Sequence, residues 1–291
     1  MTDLSILRSF SFMVSADDLD LVEREQMPLA SAMSAMSAMS VMSARTALNR
    51  NRNRNRNRNR NRNRNRNRNR NDTANTAVTG GILEPWEERA ALYALRDEWM
   101  NLPLALPPSL PELRTQAVEL LRKQVLLAQA PHAIRREEIL IEAELELSRY
   151  LRPYGIETHG GYDATIALML TVLALTDEIG LYYKARWNVP RPNQVEPRLR
   201  PFLPAPAHAS YPSNHAFQSF AVAFVMSRII PEHPGSSELF QSARRIAENR
   251  EWAGVHYACD TAAGHSLARM ILPVLEKVLK RQMLAAQAEW L

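Results

Sequence analysis

A chain of 291 residues, 46% of them hydrophobic, is long enough for one sizeable globular domain and has an ordinary apolar share for one. Its net charge of +5 belongs to one tract: the Asn-Arg alternation over residues 49–70 holds 11 arginines, and removing them leaves −6 on the rest, so the folded body is not basic. Cys259 is the single cysteine, which excludes an intramolecular disulfide and any dependence of the fold on an oxidising compartment.

The chain starts with a short apolar run broken by Arg8 and preceded by Asp3, a poor secretory signal, and the expected location is the cytoplasm. Residues 1–76 read as a disordered, low-complexity extension. Methionines recur at 33, 36, 39 and 42 in a Ser-Ala-Met repeat. A three-residue period drifts around a 3.6-residue helix, so the thioethers make no lasting ligand face. The Asn-Arg tract has no apolar residue to offset the entropy of ordering. Its charge can attract nucleic acid or an anionic membrane, but no aromatic residues interleave with the arginines to stack on bases.

Residues 77–291 read as a helical domain. Pro85 opens a helix predicted over 85–99, where an early proline and early glutamates are favourable. The proline-rich stretch 101–111 breaks it, and Pro111 opens a second helix with Leu113, Ala117, Leu120 and Leu127 on one buried stripe. A third helix is predicted from Pro131 to about Leu151. Glu138, Glu142 and Glu146 share a face of it; a carboxylate-bridged metal pair would need a Glu-x-x-His pattern that the chain lacks, so the reading is a solvated acidic face partly matched by Arg135, Arg136 and Arg149. Gly160 and Gly161 precede a strongly apolar helix over about 163–186, predicted to be the most buried and to deliver Lys184. Its apolar run, 164–175, falls short of the about 18 to 20 residues that a membrane span needs, and Asp177 and Glu178 follow, so no span is expected. With no sustained alternation of β-branched and polar residues, the predicted class is all-α.

Three motifs then follow in order: Lys184 with Arg191-Pro192, spaced K-x6-R-P; Pro212-Ser213-Asn214-His215; and Arg250, His256 and Asp260, spaced R-x5-H-x3-D. Lys184, Arg191 and Arg250 are three cations on segments close enough to fold together, the kind of set that neutralises the non-bridging oxygens of a transferring phosphoryl group. Pro190 and Pro192 stiffen the turn that presents Arg191. Ser213 stands where an N-cap would, before the apolar helix AFQSFAVAFVMSRII, and a helix N-terminus is a ready anion site. On a helix His256 and Asp260 would share a face, letting the carboxylate accept the Nδ1–H and leaving Nε2 free.

Together these motifs resemble the signature of the type 2 phosphatidic acid phosphatase and vanadium haloperoxidase superfamily, and the surrounding sequence NREWAGVHY is similar to its soluble bacterial members. The resemblance implies a helical bundle with the site between helices. It implies that His256 is the nucleophile and forms a phosphohistidine, that Asp260 orients it, and that His215 protonates the leaving oxygen. Lys184, Arg191, Ser213, the Asn214 amide and Arg250 would hold the phosphate. Two positions depart from the pattern: Asn214, where the family usually has glycine, and Asn249, where it has serine. The implied activity is that of an acid-phosphatase-like hydrolase of small phosphomonoesters, with no metal and no cofactor. The alternative is a vanadium-dependent haloperoxidase with vanadate on His256; its known members are generally longer, with a second helical bundle, and about 210 residues of domain favour the phosphatase. A further alternative is a nucleic-acid-binding protein acting through the arginine tract. Histidines 132, 159, 208, 233 and 265 match no motif and read as surface or structural residues, with His208 the candidate exception because it precedes the second motif.

Overall fold

The computed structural model describes residues 10–14, 19–23, 85–143, 147–156 and 161–291. Two five-residue strands, β1 (Phe10–Val14) and β2 (Leu19–Glu23), pair antiparallel with Phe12 opposite Leu21. Such brief alternation does not stand out from loop in the sequence. The rest of the extension, including the Ser-Ala-Met repeat and the Asn-Arg tract with their expected disorder, lies outside the described residues, as do Glu146, His159 and Gly160.

From residue 85 on the described chain is all-α, as predicted. The helices are α1 (Trp86–Ala94), α2 (Arg96–Trp99), α3 (Leu110–Leu127), α4 (Ala133–Glu142), α5 (Ser148–Leu151), α6 (Asp163–Trp187), α7 (Pro192–Val195), α8 (Asn214–Ile229), α9 (Gly235–Trp252), α10 (Ala258–Val278) and α11 (Lys280–Ala288). The first predicted helix is two, parted at Leu95, and the turn folds Trp99 back so that its indole N–H donates to the Leu92 carbonyl at 2.9 Å. In α3 Ser109 and Glu112 form a capping box, and the predicted stripe Leu113, Ala117, Leu120 and Leu127 is buried. The third predicted helix stops at Glu142 and resumes at Ser148.

One continuous apolar core runs from Leu92 to Ala286, with α6 through its middle. Leu168, Val172, Leu175 and Ile179 of α6 are all fully buried. A helix apolar all round is either such a core element or a membrane span. By length and composition the stretch containing α6 passes the test for a span, unlike the shorter run counted in the sequence, and 67% of its most apolar window is buried inside the bundle. The Glu289 carboxylate, next to α11, caps α6 by accepting from the Ala164 and Thr165 amides at 2.6 and 2.8 Å.

The helices α8 and α10 pack against each other. A Cβ at Gly264 would stand 2.6 Å from the Ser213 carbonyl oxygen and 2.9 Å from the Phe217 amide nitrogen, so only glycine lets α10 approach the first turn of α8. That approach brings Asp260, one turn earlier on α10, to the second motif.

Candidate functional site

The site begins with the loop that joins α7 to α8. Lys184, 1% exposed in the last turn of α6, donates from Nζ to the carbonyls of Ala209 (3.0 Å), Ser210 (2.8 Å) and Pro212 (2.6 Å). All three of its N–H bonds are thereby taken. Lys184 therefore staples this loop, and it does not line the cavity as the phosphate contact expected from the sequence would. Burial, then the neighbouring Arg191, pushes its pKa well below the ordinary lysine value. The loop is pinned again by the Ser213 amide, which donates to the Asp260 carbonyl at 3.0 Å.

Asp260 is the hub. Its Oδ2 accepts from Ser210 Oγ at 2.5 Å, from His256 Nδ1 at 2.8 Å and from the Tyr257 amide at 3.1 Å. His256 does not lie on the helix with Asp260, as the four-residue spacing suggested. It sits in the turn before α10, and Asp260, at the third position of α10, reaches back to it. An Nδ1–H given to a carboxylate leaves the Nε2 lone pair outward, and Arg191 Nη1 lies 3.1 Å from it. Since a guanidinium only donates, this contact fixes the same tautomer. Burial first, then the charges of Arg191 and Lys184, hold the His256 pKa well below 6.5, so the ring is neutral.

Arg191, the N-cap of α7, also donates to the carbonyls of His208 (3.1 Å) and Val255 (2.7 Å), and its Nη2 is 3.0 Å from His208 Nδ1. Burial lowers its pKa to about 10. His208 is thus a site residue that no motif marked, lining the cavity, with its own pKa pushed down to about 4 by burial and by Lys184 and Arg191.

Arg250, 1% exposed, donates from Nη2 to the Glu142 carboxylate at 2.8 Å and to the Ile139 carbonyl at 3.1 Å, while its Nε has no acceptor among the described residues. Glu142 is accordingly not part of a solvated face. It is buried, and Arg149 (2.9 Å) and the Asn249 amide (2.9 Å) complete its shell. Asn249, where the family has serine, points away from the cavity into this shell and accepts from Arg135 at 3.1 Å. Arg136, the remaining arginine of the expected match, donates instead to the carbonyls that end α3.

Ser213 caps α8 as expected, its Oγ accepting from the Ala216 amide at 3.4 Å, and it is buried behind the cavity wall. The Asn214 and His215 amides that follow have no acceptor among the described residues, which leaves two donors at a helix N-terminus. The Asn214 side chain turns to α6 and donates to Asp177 Oδ1 at 3.0 Å. His215 faces the cavity. Burial, with the charges of Arg250 and His256, drives its pKa well below 6.5. A cavity of about 370 Å³ is lined by His215, His256, Arg191, Arg250, His208 and Asn214 among others. Six of the eight residues expected at the site thus either line this cavity or, in Asp260, orient one that does; Lys184 and Ser213 build its frame.

The PAP2 superfamily model matches residues 165–283, which contain all three motifs and every residue named in them. Residues 165–283 are a PAP2-superfamily region. A bacterial vanadium-dependent chloroperoxidase in its apo form shares the fold of this PAP2 region, with a TM-score of 0.50 at 12% identity over 62% of this chain and 52% of that one. A bacterial vanadium-dependent iodoperoxidase is 16% identical over 61% of this chain and 53% of its own, TM-score 0.40. A transmembrane PAP2-type phosphatidylglycerolphosphate phosphatase from Bacillus subtilis is 14% identical over 71% and 96%, TM-score 0.41. The chain spans about half the length of the two haloperoxidases. No curated protein sequence matches it.

Proposed function

We propose that this PAP2-region protein hydrolyses phosphomonoesters by way of a phosphohistidine on His256, with His215 as general acid. The observation that carries the reading is the Asp260–His256–Arg191 line: Nδ1 bonded to a carboxylate at 2.8 Å, and Nε2 neutral and turned to a guanidinium at 3.1 Å. An incoming phosphate would draw Arg191 onto its own oxygens and uncover the lone pair. In the first half-reaction Nε2 attacks phosphorus, the bond to the ester oxygen breaks, and His215 gives that oxygen its proton. Water then attacks the phosphohistidine, His215 takes its proton, and phosphate leaves. Arg191, Arg250 and the Asn214 and His215 amides are the donors for the phosphate oxygens. His215, neutral in the free site, gains the proton it must donate once the phosphate dianion offsets the arginine field.

A second reading shares the same atoms. Vanadate resembles pentavalent phosphorus, and a free imidazole nitrogen flanked by arginines suits it as a ligand set: His256 would bind it, with Arg191 and Arg250 on its oxygens. When bound it would supply activation of peroxide for halide oxidation. Two assays separate the readings: turnover of a nitrophenyl phosphate, and bromination of a reporter with peroxide and added vanadate. The phosphatase reading expects ester turnover that vanadate inhibits competitively. Bromination without ester turnover would replace it.

A further inference from the structure

Two acceptors in the cavity have no part in holding phosphate or moving its protons. Asp177 on α6 uses Oδ1 on the Asn214 side chain at 3.0 Å, and Gln218 on α8 uses Nε2 on the Leu173 carbonyl at 3.0 Å. Both side chains are thereby fixed, and both line the cavity. Asp177 Oδ2 and Gln218 Oε1 then have no donor among the described residues. The arrangement is built in: a Cβ at Gly180 would overlap Asn214 Oδ1, so glycine there is what lets Asn214 lie against α6 and reach Asp177.

Their place relative to the chemistry says what they face. Gln218 is three residues after His215 on the same helix face, and Asn214, which holds Asp177, is its neighbour. His215 is the donor to the leaving oxygen, so these acceptors stand where the leaving group lies. The cavity, about 370 Å³, has the volume share of roughly a dozen waters, room for a phosphate and a ring-sized group. Leu203, Pro204 and Pro206 give it an apolar lining as well. A leaving group with hydroxyls along its edge and C–H surface on its faces meets both demands.

We propose that Asp177 and Gln218 form a hydroxyl-recognising subsite, so that the substrates are phosphomonoesters of sugars or other polyols. This rests on the phosphatase reading above. Burial already pushes the Asp177 carboxyl above its ordinary range, and a hydroxyl donor would return part of the lost solvation.

The test compares kcat/KM for a hexose 6-phosphate, n-butyl phosphate, an aminoalkyl phosphate and a nitrophenyl phosphate, in the wild type, Asp177→Asn and Gln218→Leu. The wild type is expected to prefer the hexose ester to the butyl ester by on the order of ten- to a hundredfold. Each substitution should cut that ratio to within about threefold while nitrophenyl phosphate turnover stays within about twofold. Equal wild-type values for the hexose and butyl esters, or a ratio that survives both substitutions, would overturn the proposal, as would preference for the aminoalkyl ester. If a variant fails to fold, the wild-type ratio alone decides. Absence of turnover for every ester, nitrophenyl included, would remove the phosphatase reading and this subsite with it; nitrophenyl turnover without the preference would remove the subsite alone.

Discussion

One carboxylate oxygen, Asp260 Oδ2, ties together a serine 50 residues upstream, the His256 imidazole and the start of a helix. Its pairing with His256 was readable from the four-residue spacing, although the spacing suggested a shared helix face and the structure makes it a helix start reaching back to a turn. Ser210, Glu142 and Asp177 were not readable as site residues, because their roles come from partners 50, 108 and 37 positions away. His256→Ala should abolish turnover of every ester, whereas His215→Ala should cost about 10²- to 10⁴-fold with a poorly stabilised alkoxide leaving group and far less with a nitrophenolate. Equal losses for both leaving groups would make His215 a binding residue. On the proposed mechanism His256 must be neutral and His215 protonated; both are held well below 6.5 in the free site, so the two limbs of kcat/KM are expected on the acid side. As pH rises through the His215 pKa the proton donor is lost, so kcat/KM should decline before neutrality, after correction for the ester's own second ionisation near about 6. In the complex the phosphate dianion raises that pKa, so the basic limb of kcat should lie higher than that of kcat/KM. Coincident limbs above pH 7 would contradict this ordering.

At the scale of elements, periodicity was the legible signal. The stripe of α3 and the extent of α6 were plain from apolar spacing, while the breaks at Leu95 and after Glu142 were not; Trp99, bonded back to Leu92 and packed on Tyr182, and Glu142, paired with Arg250, have partners that no periodicity marks. Glycines that permit close packing were equally silent, because a sequence does not show what lies opposite a missing Cβ. Gly264→Ala tests that contact. It forces a methyl to within 2.6 Å of the Ser213 carbonyl, and overpacking of this kind costs about 1–3 kcal/mol. For a domain of this size each kcal/mol moves Tm by about 2–4 °C. A fall of several degrees by calorimetry, with kcat lowered because Ser213 and Asp260 shift, is the expected result. An unchanged Tm would mean that the two helices part without loss.

For the whole molecule, the division expected from composition, an extension over residues 1–76 and a helical domain after it, is open to a direct test. Among the described residues, every buried member of the main apolar core lies between Leu92 and Ala286, and every residue lining the cavity between Glu142 and His256. Deleting residues 1–76 should therefore leave Tm within about 2 °C and ester turnover intact. Loss of folding in the truncated chain would show that the extension packs on the domain. The same deletion addresses the nucleic-acid alternative: if binding of nucleic acid, lost with the tract and steeply salt-dependent, persisted in His256→Ala while no ester were turned over, charge would be the chain's function.

The claim on which the rest depends is covalent: phosphorus bonded to His256 Nε2. The direct measurement is rapid quenching of the protein during turnover of a radiolabelled phosphate ester, followed by peptide mapping. The expected result is a protein-bound label that survives base, is lost in acid, maps to the peptide containing His256 and is absent in His256→Ala. Steady hydrolysis by His256→Ala, or label found on another residue, would contradict it.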